Sequence, residues 1–124
     1  MCGIYGIVQP GAKADDLRPM GEAANQVQAH RGPDQTGSTG DNGWFLAHRR
    51  LSIYDVSESG RQPLQYADRL TIVFNGAIYN FPELRTELKA KGFAFHTNTD
   101  TEVILAAWLA WGPACFARFN GMWA

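Results

Sequence analysis

The sequence predicts a single α+β domain, on three observations. Short apolar or alternating runs rich in β-branched and aromatic residues, at 2–8, 44–56 and 70–80, have the character of strands. Stretches near 15–29, 80–91 and 99–112 carry helical spacing or cap signals. The length, 124 residues, suffices for one domain with a real core and falls short of two ordinary ones.

Cys2 to Val8 reads as a buried first strand, with Gly3 and Gly6 removing side chains where something approaches the backbone. After the Pro10-Gly11 turn, Leu17, Met20, Ala24 and Val27 recur at helical spacing from an Asp15-Asp16 start, and Pro19 is tolerated in the first turn. His30 to Gly43 holds four glycines and a proline and reads as a long loop of the kind that often serves function. WFLAHRRLSIYDV from Trp44 reads as one or two strands, and SESGRQPLQYADR from Ser57 as turn-rich and polar. LTIVFNGAIYN from Leu70 reads as strand, tight Asn75-Gly76 turn and continuing strand. Asn80, Pro82 and Glu83 open a helix buried through Leu84 and Leu88 and ended by Gly92. FAFHTN alternates as a short strand, and Thr99 to Glu102 forms a capping box that opens an apolar helix running to Gly112-Pro113. FNGMWA reads as a last strand cut at its first residues.

Composition narrows the function classes. Eleven basic against twelve acidic side chains, without a basic block, point neither to nucleic acid nor to an anionic membrane. The longest apolar stretch, from Val103, is about half of what a membrane crossing needs. Nothing at the N-terminus reads as a secretory signal, and two cysteines make no disulfide framework, so a cytoplasmic setting is the default. A Cys2–Cys115 bridge stays open. His30, His48 and His96 show no ligand spacing with the cysteines, which argues against metal binding.

Cys2 can become the first residue once Met1 is trimmed, and a terminal cysteine carries a thiol and a free amine together. The two ionise within about one pH unit of each other, so the amine can serve as base for the thiol. A carbonyl attacked by that thiol needs donors for its oxyanion, and Asn75-Gly76 offers an amide side chain and an unhindered N–H. Arg50 suits a carboxylate, and Asp100 at a helix start could hold an ammonium group. Each has a plain alternative: a buried structural cysteine, a hairpin turn, a solvated strand-end charge, a helix cap. As a set they would grip a free amino acid by its two backbone charges and leave its side-chain carbonyl for the thiol.

With MCGIYGIV, HRGPD, HRRLSI, FNGAIYN, TNTDTEVIL and FNGMWA in this order, the whole chain 1–124 resembles the N-terminal glutaminase domain of class II glutamine amidotransferases, most closely that of glutamine-hydrolysing asparagine synthetases. The resemblance implies a four-layer αββα N-terminal-nucleophile (Ntn) hydrolase sandwich. It also implies a reaction in which Cys2 attacks the glutamine amide and releases ammonia, then glutamate, through a thioester. By the same carry-over Asn75 and Gly76 stabilise the oxyanion, Arg50 holds the α-carboxylate and Asp100 the α-ammonium. Backbone groups around Leu51 and Ile53 line the pocket, and the HRGPD loop closes over substrate. No cofactor is implied in this domain; ATP and magnesium belong to a C-terminal synthetase domain.

Two departures stand out. Ala77 occupies the position where the asparagine synthetase pattern has glutamate, so one carboxylate expected near the substrate ammonium is missing. Glutaminase domains of this family also run longer, so truncation with an open sheet edge and self-association, as a homo-oligomer, is expected. Two other readings stay in view: a catalytically silent regulatory or interaction domain of the same fold, and a glutaminase that serves a different acceptor.

Overall fold

The computed structural model describes residues 1–52 and 58–124. Among the described residues, seven strands form three antiparallel sheets, with three α-helices among them. β1 (Gly3–Val8), β2 (Gln35–Asp41) and β3 (Trp44–Arg50) make the largest sheet, in the order β1-β3-β2. β3 is central because its residues pair on both sides and its Phe45 and Ala47 are buried. They meet Leu17 of α1 (Ala14–Val27), joined by Tyr5, Ile7 and Ala12. α1 seats closely through Gly21, where an added Cβ would lie 2.2 Å from the Phe45 ring.

The second core surrounds α3 (Asp100–Trp111), which is buried from Asp100 to Ala107. Leu84 and Leu88 of α2 (Phe81–Ala90) pack on it, with Phe74, Ile78, Cys115 and Phe119. β4 (Leu64–Tyr66) and β5 (Leu70–Ile72) form a hairpin beside it. β6 (Gly76–Ile78) pairs with the last strand, β7 (Gly121–Trp123). Cys2 and Cys115 are both free thiols. Among the described residues no helix is long and apolar enough to cross a membrane.

Several sequence expectations are corrected. β1 is an edge strand with Gly6 and Val8 exposed, not a fully buried one. Most of the glycine-rich stretch after His30 is β2, paired along its length with β3. Its glycines mark close approach and not a loop: a Cβ on Gly37 would lie 2.1 Å from the Gln62 carbonyl oxygen. α1 buries Leu17, Gly21 and Asn25, whereas Met20 and Val27 of the expected stripe are exposed. It also starts at Ala14, whose N–H is capped from a distance by Asn42, so Pro19 falls inside the helix and beyond its first turn. The polar stretch after Ser57 contains strand β4. Phe93 to His96 alternates in burial yet joins no sheet, because the His96 and Thr97 N–H groups are taken by the Glu102 carboxylate.

His48 links the two halves. It is 1% exposed on β3, and its Nε2–H donates to the Phe74 carbonyl at 3.0 Å. Burial, partly offset by that bond and reinforced by Arg50, pushes its pKa down to about 4. A histidine kept neutral in the fold but able to charge when unfolded contributes stability that is complete above pH 6.5 and lost as pH falls toward 4. The shift corresponds to about 3 kcal/mol. Urea unfolding between pH 7 and pH 4.5 is therefore expected to show a loss of stability toward low pH that is smaller in His48→Gln. An unchanged loss in that variant would contradict this.

Candidate active site

A cavity of about 220 Å³ opens between the two halves. Cys2, Arg50 and Leu51 line it from the β1–β3 side, and Asn75, Gly76, Ala77 and Asp100 from the β6–α3 side. Residues scattered through the whole sequence thus meet in one place. Ile53, the remaining expected lining residue, lies outside the described residues.

Cys2 sits one residue before β1, at its junction with the end of β3. Its sulfur accepts from the Leu51 N–H at 3.3 Å and lies 3.6 Å from the Leu51 carbonyl oxygen. Met1 also lines the cavity and is 62% exposed. The two arginines of HRR point to opposite faces, as strand alternation requires. Arg49 bonds the Asn25 carbonyl and the Gln26 side chain on α1, whereas Arg50, 4% exposed, faces the cavity and donates to Gln35 at 2.7 Å. Gly60, which the sequence reading missed, makes room for it: a Cβ there would lie 2.2 Å from the guanidinium.

Asn75 and Gly76 form no hairpin turn, contrary to the expectation. Asn75 exchanges both backbone hydrogen bonds with Ala124, at 2.9 and 2.8 Å, which makes it a hydrogen-bonded pair of the β6–β7 ladder. Antiparallel alternation then makes Gly76 and Ile78 non-bonded positions, whose N–H groups point away from β7. The Ile78 N–H meets the Asp100 carboxylate at 2.9 Å on that edge, and the Gly76 N–H points the same way. The need for glycine at 76 comes from β7, since a Cβ would lie 2.3 Å from the Met122 carbonyl oxygen.

Asp100 is the first residue of α3 and 4% exposed. Burial pushes its carboxyl above the usual carboxylate range, partly offset by donors from Ile78 and Thr101. The cap preceding it differs from a simple capping box. Thr99 accepts from the Glu102 N–H, but the Glu102 carboxylate reaches past Thr99 to the His96 and Thr97 N–H groups and the Thr97 hydroxyl, each at 2.8 Å. Arg85 pairs with it at 3.6 Å and donates to the Thr97 carbonyl. This web fixes the segment that delivers Asp100. Glu102 was legible only as a cap because its other partners depend on the loop's path.

His30 to Asp34 does not line the cavity. It packs on the end of β3, where Asp34 accepts from the Ser52 N–H at 2.8 Å and donates its own N–H to the Arg50 carbonyl. No cluster of three or more metal-ligating side chains occurs among the described residues.

Comparison with known proteins gives a consistent result. The family model described as glutamine amidotransferase domain matches residues 1–124. Asparagine synthetase (glutamine-hydrolyzing) 1 of Bacillus subtilis is 44% identical over the whole chain, which covers 20% of that relative. Asparagine synthetase B (glutamine-hydrolyzing) of Escherichia coli and the probable asparagine synthetase (glutamine-hydrolyzing) of Schizosaccharomyces pombe are each 38% identical over the whole chain and matched over 22% of their length. The chain thus spans about a fifth of the length of these relatives.

Proposed function

Because the chain belongs to the family of glutamine amidotransferase domains, we propose that it hydrolyses glutamine to glutamate and ammonia with Cys2 as nucleophile. One observation carries this reading: Cys2, Arg50, Asn75, Gly76 and Asp100, remote in sequence, line a single cavity.

Removal of Met1 frees the Cys2 amine. The amine takes the thiol proton as sulfur adds to the side-chain carbonyl carbon, and the oxyanion so formed is met by the Asn75 amide and the Gly76 N–H. On collapse the carbon–nitrogen bond breaks, the proton passes to the departing nitrogen, and ammonia leaves a thioester. Water, deprotonated by the same amine, then releases glutamate and restores the thiol. Arg50 grips the α-carboxylate and Asp100 the α-ammonium, which places the amide over the sulfur. None of these steps requires a cofactor.

In this reading the β1-β3-β2 sheet and the β6-β7 sheet belong to facing layers of an Ntn sandwich, a view supported by the hydrogen bond from His48 on β3 to Phe74, in the segment that leads into β6. In this proposal the ammonia passes to a synthetase domain in a longer cytoplasmic protein, where ATP and magnesium act; the relatives' names, asparagine synthetase, support the synthetase part of that reading. Ala77 alone favours the silent-domain reading. It lines the cavity with Asp100, so Ala77→Glu is expected to lower the KM for glutamine by about tenfold or more, the ~1.5–3 kcal/mol of a charged hydrogen bond, with kcat changed less. Steady-state kinetics on the Met1-free chain checks this, and an unmoved KM would count against a shared ammonium site. Wild-type chain that releases no glutamate from glutamine would overturn the glutaminase reading itself.

A further inference from the structure

Phe74, immediately before Asn75 and outside any strand, has side-chain partners for both of its backbone polar groups. Its N–H donates to Oε1 of Gln62 at 2.6 Å, and its carbonyl accepts from His48 at 3.0 Å. Since Oε1 of Gln62 is the acceptor, the other end of that amide is a donor. It donates to the Thr101 hydroxyl oxygen at 3.4 Å. A hydroxyl that accepts there still has its own proton to give, and Thr101 directly follows Asp100 at the start of α3, where it helps offset the rise that burial imposes on the Asp100 carboxyl. Each donor and acceptor along Phe74, Gln62 and Thr101, the neighbour of Asp100, is thereby fixed by the one before. All four line the cavity, and Gln62 is 6% exposed.

We infer that Gln62 is a positioning residue that couples the Asn75–Gly76 end of the cavity to the Asp100 end, an inference that rests on the glutaminase reading. At the Phe74 end the short bond sets the Val73–Phe74 peptide, one peptide before the one that enters Asn75. At the Thr101 end the longer bond turns the hydroxyl so that its proton faces Asp100. The oxyanion donors and the ammonium ligand are held at a fixed separation through one amide.

Two substitutions separate the ends. Gln62→Leu leaves the Phe74 N–H without its acceptor and is expected to lower kcat about tenfold or more while KM rises. Gln62→Glu keeps an acceptor for Phe74 but draws the Thr101 proton away from Asp100, so KM rises about tenfold with a smaller fall in kcat. Thr101→Val, nearly equal in shape, should behave as Gln62→Glu does. The measurement is kcat and KM for glutamine on the Met1-free chain, with a thermal melt of each sample. A purely structural residue would move only the melting temperature. An active wild type with Gln62→Leu within twofold of it in both parameters would overturn the inference alone, as would Gln62→Glu losing kcat as fully as Gln62→Leu. Should Gln62→Leu not fold, an unmoved KM in both Gln62→Glu and Thr101→Val overturns it. A wild type that releases no glutamate overturns the glutaminase reading, and this inference with it.

Discussion

Cys2→Ala is expected to abolish glutamate release, by on the order of 10⁴-fold or more, as removal of a nucleophile does elsewhere. The fold should persist. Cys2 precedes the first residue of β1, is half-buried, and gives up only its two contacts with the Leu51 backbone. Cys2→Ser preserves the size and hydrogen-bonding pattern but presents a weaker nucleophile, and should be nearly as inactive. The sharper comparison is with a chain of unchanged sequence in which Met1 is retained, produced with methionine aminopeptidase inhibited. That chain keeps the thiol and its Leu51 contacts and lacks only the free amine, so it should fall with Cys2→Ala. Turnover by the Met1-bearing form at the rate of the trimmed form would remove the amine from the mechanism and leave the thiol in search of another base.

Asp100→Asn is the second large effect, and here binding and stability should separate. The KM for glutamine is expected to rise about 30- to 150-fold, the ~2–3 kcal/mol of a hydrogen bond to a charged group. The melting temperature at neutral pH should hold or increase. Burial raises the Asp100 carboxyl above its ordinary value, so the fold favours its protonated form. Such a group contributes stability that is complete below its unfolded value and lost as pH rises through the raised one. At neutral pH the charge is therefore held at a cost, and asparagine removes it while keeping an oxygen for the Ile78 N–H. The same raised pKa means that KM in the wild type should climb as pH falls through it, and that this climb should vanish in Asp100→Asn. Glutamine kinetics across pH, with melts alongside, checks both halves. A fall in melting temperature with an unmoved KM would reassign Asp100 to a purely structural cap.

Much of the candidate site was legible before the fold. A thiol at position 2, an arginine fork, an amide beside a glycine and a carboxylate at a helix start each announce their chemistry by residue type. The cap at Thr99 and the burial of the helix after it were equally plain, because both are local. What the sequence concealed depends on register between distant segments. The glycines of β2 looked like loop residues, and only the passage of Gln62 against Gly37 shows why side chains are excluded there. Asn75-Gly76 looked like a hairpin turn until pairing with Ala124 turned the Gly76 N–H away from β7. Gly60 and Gln62 carried no signal, since their partners, Arg50, Phe74 and Thr101, lie far along the chain.

The most direct test of Cys2 as the nucleophile of a glutamine site is covalent trapping. The trimmed chain is treated with a glutamine analogue that bears a chloromethyl ketone in place of its side-chain amide, then read by intact mass and peptide mapping. The account predicts one adduct per chain, on Cys2, suppressed by excess glutamine and absent from Cys2→Ala. An adduct on Cys115, equal labelling in the presence of glutamine, or glutamate release with Cys2 unlabelled would contradict it.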